Sequence, residues 1–338
     1  MKGRRIAIHP HQDIRVEEFD VPRPAAPDEF LLRVHYSLIS PGTELSGYNN
    51  PNRTDISYPG YTAVGEIIKV GPGTDEDLTG RLVYVFPALK DTNGCHASHK
   101  LLKAGGLAAP VPEGLDPRKA CFARMVNIAL TPYVNAAPKT AGAVLVLGLG
   151  LVGNTIAQVG CLRGFYTIGA DPEPDRRKRA KQAGIDALID PSTEDLVERV
   201  RELTGGFGAN LTVNATGRAD SFPTAVEATA RGGEVSTLGG ARGEAHGDLA
   251  PFVRRIHSQH ITLRGGWEML LPLRSSPALR TASTEENIRN AFRWLASGAV
   301  KLDPVWTHII RPEEFKTAYD ALSAHDPEYL GVVVDWTD

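Results

Sequence analysis

Cysteine is scarce in this chain. There are three in 338 residues, Cys95, Cys121 and Cys161, and no two stand in CxxC spacing. That argues against a disulfide framework or a zinc ribbon, and a reducing cytoplasm is the simplest compartment. No apolar run approaches the ~20 residues needed to cross a bilayer, so no membrane association is expected. The opening MKGRRIAIHP has basic residues with no apolar stretch behind them and does not read as a signal peptide. A basic excess is also missing. Lys and Arg number 37 against 40 Asp and Glu, a net charge of −3, which leaves no electrostatic footprint for nucleic acid. Internal repeats and low-complexity tracts are absent. With 42% hydrophobic and 23% charged residues, the composition is that of a soluble globular protein. Its length predicts two domains rather than one core.

The pattern along the chain divides into three. Residues 1–125 are β-rich, with short runs such as RIAIHP, FLLRVHYSLIS, AVGEIIKVG and RLVYVFPA between Pro, Gly, Asn and Asp. The first long helix is expected over 116–136. Residues 126–266 alternate strand and helix: GAVLVLG, YTIGAD, ALID, ANLTVNATG, GGEVSTLGG and ITLRGG are the strands. That alternation predicts a doubly wound parallel sheet. Ser192 to Asp195 resembles a capping box ahead of the helical DLVERVRELTG. Residues 267–338 hold an amphipathic helix, with Ile288, Phe292 and Leu295 at i, i+4 and i+7, and a closing strand YLGVVVDW.

Gly148, Gly150 and Gly153 stand in GxGxxG spacing, directly after a predicted strand and at the start of a predicted helix. In that context the motif predicts a dinucleotide site. The first glycine permits the turn, the second lets the backbone approach a pyrophosphate, and the third lets the helix pack on the strand. The helix N-terminus then meets the phosphate charge. Asp171, 18 residues after Gly153, ends the next strand, where a carboxylate accepts ribose hydroxyls and repels a 2′-phosphate. NAD is therefore expected over NADP. Arg176 and Arg177, a few residues on, argue the other way; they are read as a solvated helix start, with Arg176 kept as a cofactor candidate.

PGTELSGY, YPGYTAVGEIIKVGPG, GRLVYVFP and GCHASHKLL, followed by GLGLVG, resemble the medium-chain dehydrogenase/reductase superfamily over nearly the whole chain. GLGLVG is closer to its alcohol and polyol dehydrogenase branch than to the quinone and enoyl reductases. SLISPGTE is similar to a stretch of bacteriochlorophyllide dehydrogenases and some sugar-modifying members. The resemblance implies a GroES-like β-barrel catalytic domain plus a Rossmann domain, with the active site in the cleft between them. It adds Leu151, Val152, Thr131, Ala215, Thr216, Leu238, Gly239 and Gly240 as cofactor contacts.

Zinc-dependent relatives place a cysteine where this chain has Pro41, a His-Glu pair where it has Tyr61 and Thr62, and a third ligand where it has Asn127 or Arg124. Proline cannot bind zinc, and arginine is a poor neighbour for a dication. The four-cysteine structural lobe is absent too, with Cys95 alone in that region. His96 and His99 at i, i+3 on a strand would face opposite ways. No catalytic zinc is therefore expected.

Without a metal, hydrogen-bond donors and a proton path must manage the alcohol proton. Thr43 matches the family's proton-relay hydroxyl; its structural alternative is a plain turn residue. Tyr61 either donates to the substrate oxygen or fills the void. Arg124 and Asn127 either stabilise an alkoxide or form a buried polar pair. Glu44, His96, Trp267 and Glu268 are candidate substrate contacts. The alternatives for them are a structural carboxylate for Glu44, a satisfied strand residue for His96 and a core tryptophan for Trp267. The expected function is NAD-dependent interconversion of a secondary alcohol and a ketone, with a sugar, aminosugar or cyclitol as substrate. A zinc-free quinone or enoyl reductase and a non-catalytic nucleotide-binding protein are the rivals. A homodimer is expected through ITLRGG.

Overall fold

The computed structural model describes residues 1–88, 91, 93–136, 142–239, 242–276, 278 and 282–337. Gly240, one of the cofactor candidates, lies outside them. The chain clusters into two units. The first comprises Met1–Arg124, Leu271–Gly298 and Trp306–Asp338; the second comprises Met125–Leu270 and Ala299–Val305. The tail from 267 therefore divides between the units instead of returning whole to the first.

The first unit carries strands β1 (Lys2–His9), β2 (Asp13–Asp20), β3 (Phe30–Leu38), β4 (Ala63–Val70), β5 (Leu82–Phe86), β6 (His99–Leu102) and β7 (Leu107–Pro110). The second carries β8 (Ala143–Leu147), β9 (Tyr166–Ala170), β10 (Ala187–Ile189), β11 (Ala209–Asn214), β12 (Thr229–Thr237) and β13 (Thr262–Gly265); β14 (Trp306–Ile310) and β15 (Gly331–Asp335) belong to the first again. The helices are α1 (Pro41–Tyr48), α2 (Pro117–Ala120), α3 (Ala123–Asn135), α4 (Leu151–Leu162), α5 (Pro174–Ala183), α6 (Leu196–Leu203), α7 (Phe222–Glu227), α8 (Leu249–Gln259), α9 (Thr284–Ser297) and α10 (Phe315–Ser323). None of the described helices is long and apolar enough to cross a membrane.

In the first unit the main sheet runs β14-β15-β3-β4-β5-β7, and β1 and β2 form a separate hairpin. Strand β3 has β4 along one edge. The other edge is shared, with β6 opposite Phe30–Arg33 and β15 opposite Tyr36–Leu38. Every pair in this sheet is antiparallel except β14 with β15. The core includes Ile6, Leu32, Val34, Ile39, Phe315, Tyr319, Val332 and Trp336. Phe315, Tyr319 and Leu322 recur at i, i+4 and i+7, so α10 buries one stripe there.

The second unit is a parallel sheet of order β10-β9-β8-β11-β12-β13. The chain leaves β8 toward β9 and β10, then restarts on the other side of β8 with β11. That reversal is the topological switch point, and in open α/β sheets ligands bind outside the carboxyl ends of the strands there. The turns after β8 and β11, holding Gly148–Gly150 and Ala215–Thr216, lie at those ends.

Local expectations needed three corrections. The helix expected over 116–136 breaks at Cys121–Phe122 into α2 and α3. The cap of α6 is Asp195, whose carboxylate accepts from the Glu198 amide at 2.9 Å; Ser192 instead bonds Asp190 in the preceding turn. PGTE, in the region read as β-rich, is the first turn of a helix. Ser40 sits at the N-cap of α1 and Pro41 follows at the first helical position, where its missing N–H costs nothing.

Candidate active site

Helix α4 starts the nucleotide cradle in the second unit. Gly148 takes φ +85°, a conformation open to glycine, and its amide donates to Ala170 O at 2.8 Å. Gly150 is the N-cap of α4, and a methyl added there would meet no atom within 4 Å. A methyl at Gly153 would lie 1.8 Å from Gly148 O, so helix and turn pack closer than any other residue allows. Leu151 is buried and Val152 half-buried at the first turn. The outward amides of that turn and the helix dipole suit an anionic phosphate.

Asp171 follows β9 and is 1% exposed. Its Oδ2 accepts from the Leu149 amide at 2.7 Å and its Oδ1 from the Glu173 amide at 2.9 Å. The carboxylate thus ties the glycine turn to the end of the neighbouring strand, and each oxygen keeps lone-pair capacity for a ribose hydroxyl. Arg176 reaches Asp171 Oδ2 at 3.4 Å. Arg177 is no solvated side chain: it donates to Asp171 O and Pro172 O at 2.7 Å each and pairs with Asp190 at 2.7 Å.

The remaining cofactor candidates fall around the same switch point or in α3. Thr216 is held by Asn214 and Ser221, its Oγ1 lying 2.7 Å from Asn214 Oδ1. Ala215 is half-buried beside it, Leu238 is buried, and Gly239 takes φ +87° in the open. Thr131 is fully buried, and its hydroxyl donates to Asn127 O at 3.1 Å. Asn127 in turn donates to Glu268 Oε2 at 2.6 Å, and both are buried. Trp267 is 64% exposed, which overturns the core alternative for it. This residue set fits a dinucleotide.

In the first unit Arg124 is 2% exposed, with its guanidinium 3.6 Å from the Phe86 ring centroid and 4.6 Å from that of Tyr61. The Tyr61 hydroxyl donates to Ser40 Oγ. Gly60, at φ +94°, must be glycine, since a methyl there would lie 2.8 Å from the His96 ring. Thr43 is exposed on α1.

Glu44 and His96, expected to touch substrate, face each other inside this unit. Glu44 Oε1 accepts from the Ser40 amide at 2.8 Å, and Oε2 lies 3.0 Å from His96 Nε2 and accepts from the Tyr319 hydroxyl. His96 Nδ1 lies 2.8 Å from Ser37 Oγ, which accepts from Trp336 Nε1 at 2.9 Å. Burial first, then the charge of Glu44, holds the Tyr319 phenol well above its usual range, so it stays a neutral donor. His96 precedes β6, so strand alternation does not place it; His99 bonds Ser98 Oγ at 3.1 Å. Burial pushes the Cys95 thiol up to about 11, away from a thiolate ligand. Among the described residues no three His, Cys, Asp or Glu side chains gather where they could share a metal ion.

Sequence reasoning missed Ser40, Ser37, Tyr319 and Trp336. Ser40 carried a signal, a serine before proline at a helix start. Tyr319 and Trp336 meet Glu44 and Ser37 only through the tertiary fold.

Comparison with known proteins agrees with this architecture. Residues 149–283 match the family described as zinc-binding dehydrogenase. L-threonine 3-dehydrogenase of Pyrococcus furiosus is 26% identical over 362 aligned positions, covering 96% of this chain and 97% of that one. Over nearly its whole length the chain is similar to medium-chain, zinc-type dehydrogenases. Among solved structures, galactitol-1-phosphate dehydrogenase from Escherichia coli superposes with a TM-score of 0.84 at 18% identity, over 98% of this chain and 99% of that one. An Escherichia coli CFT073 protein described as a short chain alcohol dehydrogenase complexed with NADH gives 0.82 at 20% identity, over 99% of each.

Proposed function

We propose that this chain is an NAD-dependent dehydrogenase that interconverts a secondary alcohol and a ketone without catalytic zinc. The observation that carries the proposal is the buried Arg124 guanidinium against the face of Tyr61. Zinc-dependent members hold their cation by Cys, His and carboxylate. This chain has Pro41, Tyr61 and Arg124 or Asn127 at the matching positions, and that donor set does not suit zinc. A fixed organic cation stands there instead.

When bound, NAD supplies the hydride acceptor. The protein's own task is the proton. Thr43 has the exposed hydroxyl to hold a substrate oxygen, but an aliphatic hydroxyl unaided is too weak a base to end the path. Tyr61 supplies that end. The Arg124 guanidinium lies 4.6 Å from its ring centroid, a cation–π contact that fixes the ring beside a buried charge. Ser40 Oγ accepts its proton in the resting state and, by rotating, can donate to the phenolate. Glu44 holds the Ser40 amide, and His96 and Tyr319 hold Glu44, so these three position the path rather than touch substrate.

For the substrate we infer a hydroxyl flanked by polar groups, as in a sugar, aminosugar or cyclitol. The names of the relatives, threonine and galactitol-1-phosphate dehydrogenases, support that class. The test is a screen of sugars and cyclitols with NAD, read as NADH formation. The purified enzyme should carry well under one zinc per chain and keep its activity in EDTA or phenanthroline. Stoichiometric zinc, with activity abolished by chelation and restored by zinc, would sink the metal-free mechanism.

Asp171 supports NAD over NADP, because a buried carboxylate that already anchors the glycine turn repels a 2′-phosphate. The kcat/KM ratio should favour NAD by about tenfold or more, the size of one charge contact. A faster reaction with NADP would show that Arg176 dominates this strand end.

We also propose a homodimer. Among the described strands β13 is paired on one side only, and Leu263 is 42% exposed on it. An open edge of this kind is protected by pairing with a second copy. Light scattering at micromolar concentration should give twice the chain mass; a monomer would refute it.

A further inference from the structure

The hairpin β1–β2 and strand β6 enclose a cavity of about 430 Å³ within the first unit, walled by Arg5, Phe19, Tyr58, His99, Leu101 and Lys103. None of these side chains enters the proposed proton path. The size suits a small organic ligand.

Arg5 gives the cavity its chemistry. Its guanidinium stacks 3.5 Å from the Tyr58 ring centroid and lies 5.2 Å from that of Phe19. Stacking engages the faces of the guanidinium and leaves its N–H edge for hydrogen bonds. Its Nε is buried from solvent, so the terminal amino groups form the edge open to a ligand.

The nearby acids are engaged elsewhere. Glu17, opposite Arg5 in the hairpin register, pairs with His9 at 2.5 Å, and Asp20 pairs with Lys2 at 2.9 Å. Lys100 is neutralised by Asp91 at 2.9 Å. His96 closes the floor, but both its ring nitrogens are engaged by Ser37 and Glu44. Arg5 and the exposed Lys103 therefore leave a positive excess, beside apolar walls from Phe19, Tyr58 and Leu101.

We propose that this cavity binds a small organic carboxylate. The carboxylate pairs end-on with the two terminal amino groups of the Arg5 guanidinium, and the apolar body rests on Phe19, Tyr58 and Leu101. Two parallel charge-assisted bonds favour an anion over its neutral isostere by about tenfold or more. This site is independent of the nucleotide cradle and of the reaction proposed above.

The probe is benzoate, with benzamide as its neutral isostere, measured by calorimetry on the full chain. Benzoate should bind about tenfold or more tighter than benzamide, and saturating NADH should not displace it. Arg5→Met should weaken benzoate by a similar factor. If Arg5→Met fails to fold, Arg5→Lys keeps the charge but loses the fork and should still weaken benzoate severalfold. Equal affinity for benzoate and benzamide, displacement by NADH, or unchanged benzoate affinity in a folded Arg5 variant would each overturn the proposal.

Discussion

Tyr61→Phe should lower kcat for alcohol oxidation by about 10²–10⁴-fold, the usual contribution of a positioned acid or base. The variant keeps the ring that lies against Arg124 and deletes only the hydroxyl that meets Ser40. Its stability and its affinity for NADH should therefore be unchanged. Arg124→Met removes the cation while keeping a long apolar side chain on Phe86. Loss of the cation beside the ring should also lower kcat while sparing nucleotide affinity. Thr43→Val should lower kcat while sparing nucleotide affinity, since it removes a hydroxyl exposed on α1. A Tyr61→Phe enzyme within tenfold of wild type would take Tyr61 out of the path and return the acid–base role to Thr43.

The nucleotide unit was legible because its signals are local. A continuous apolar strand, a glycine turn and a helix start occupy adjacent residues, and each has a direct structural cause. Asp171 was legible for the same reason, as the last residue of a predicted strand. What the spacing did not reveal was that Asp171 accepts the Leu149 amide, because that bond joins the ends of two strands. The amphipathic stripe of α9 was clear in Ile288, Phe292 and Leu295, all buried.

The first unit was harder to read because its site is built from distant pieces. Glu44 meets Tyr319 across 275 residues of sequence and His96 across 52. No period or motif connects them; Tyr319 reaches Glu44 through the packing of α10 against α1. Glu44 and His96 were candidate substrate contacts, with a structural carboxylate and a satisfied strand residue as the alternatives, and their mutual hydrogen bond favours the alternatives. Polar side chains fully satisfied by one another have little reason to face a ligand, and that satisfaction is visible only in three dimensions. Helix α1 was missed because eight residues containing two glycines offer little helical propensity, and tertiary packing of Leu45 and Tyr48 overrides it.

Gly153→Ala and Gly150→Ala should fail in different ways, although each adds a single methyl to the same motif. At Gly153 the new Cβ would lie 1.8 Å from Gly148 O, and neither partner is a flexible side chain. The backbone of α4 or of the turn must move. Overpacking of this kind costs about 3 kcal/mol or more, which should lower the melting temperature of the apoprotein and weaken NADH. At Gly150 the Cβ meets nothing within 4 Å, and φ −61° suits alanine. The apoprotein should therefore melt as wild type. The methyl would instead occupy the space where a pyrophosphate approaches the helix N-terminus, so NADH affinity should fall by about tenfold or more. Thermal melting without nucleotide and NADH fluorescence titration separate the two. If Gly150→Ala binds NADH as tightly as wild type, the pyrophosphate does not lie on this turn, and the nucleotide reading of the GLGLVG segment loses its main support.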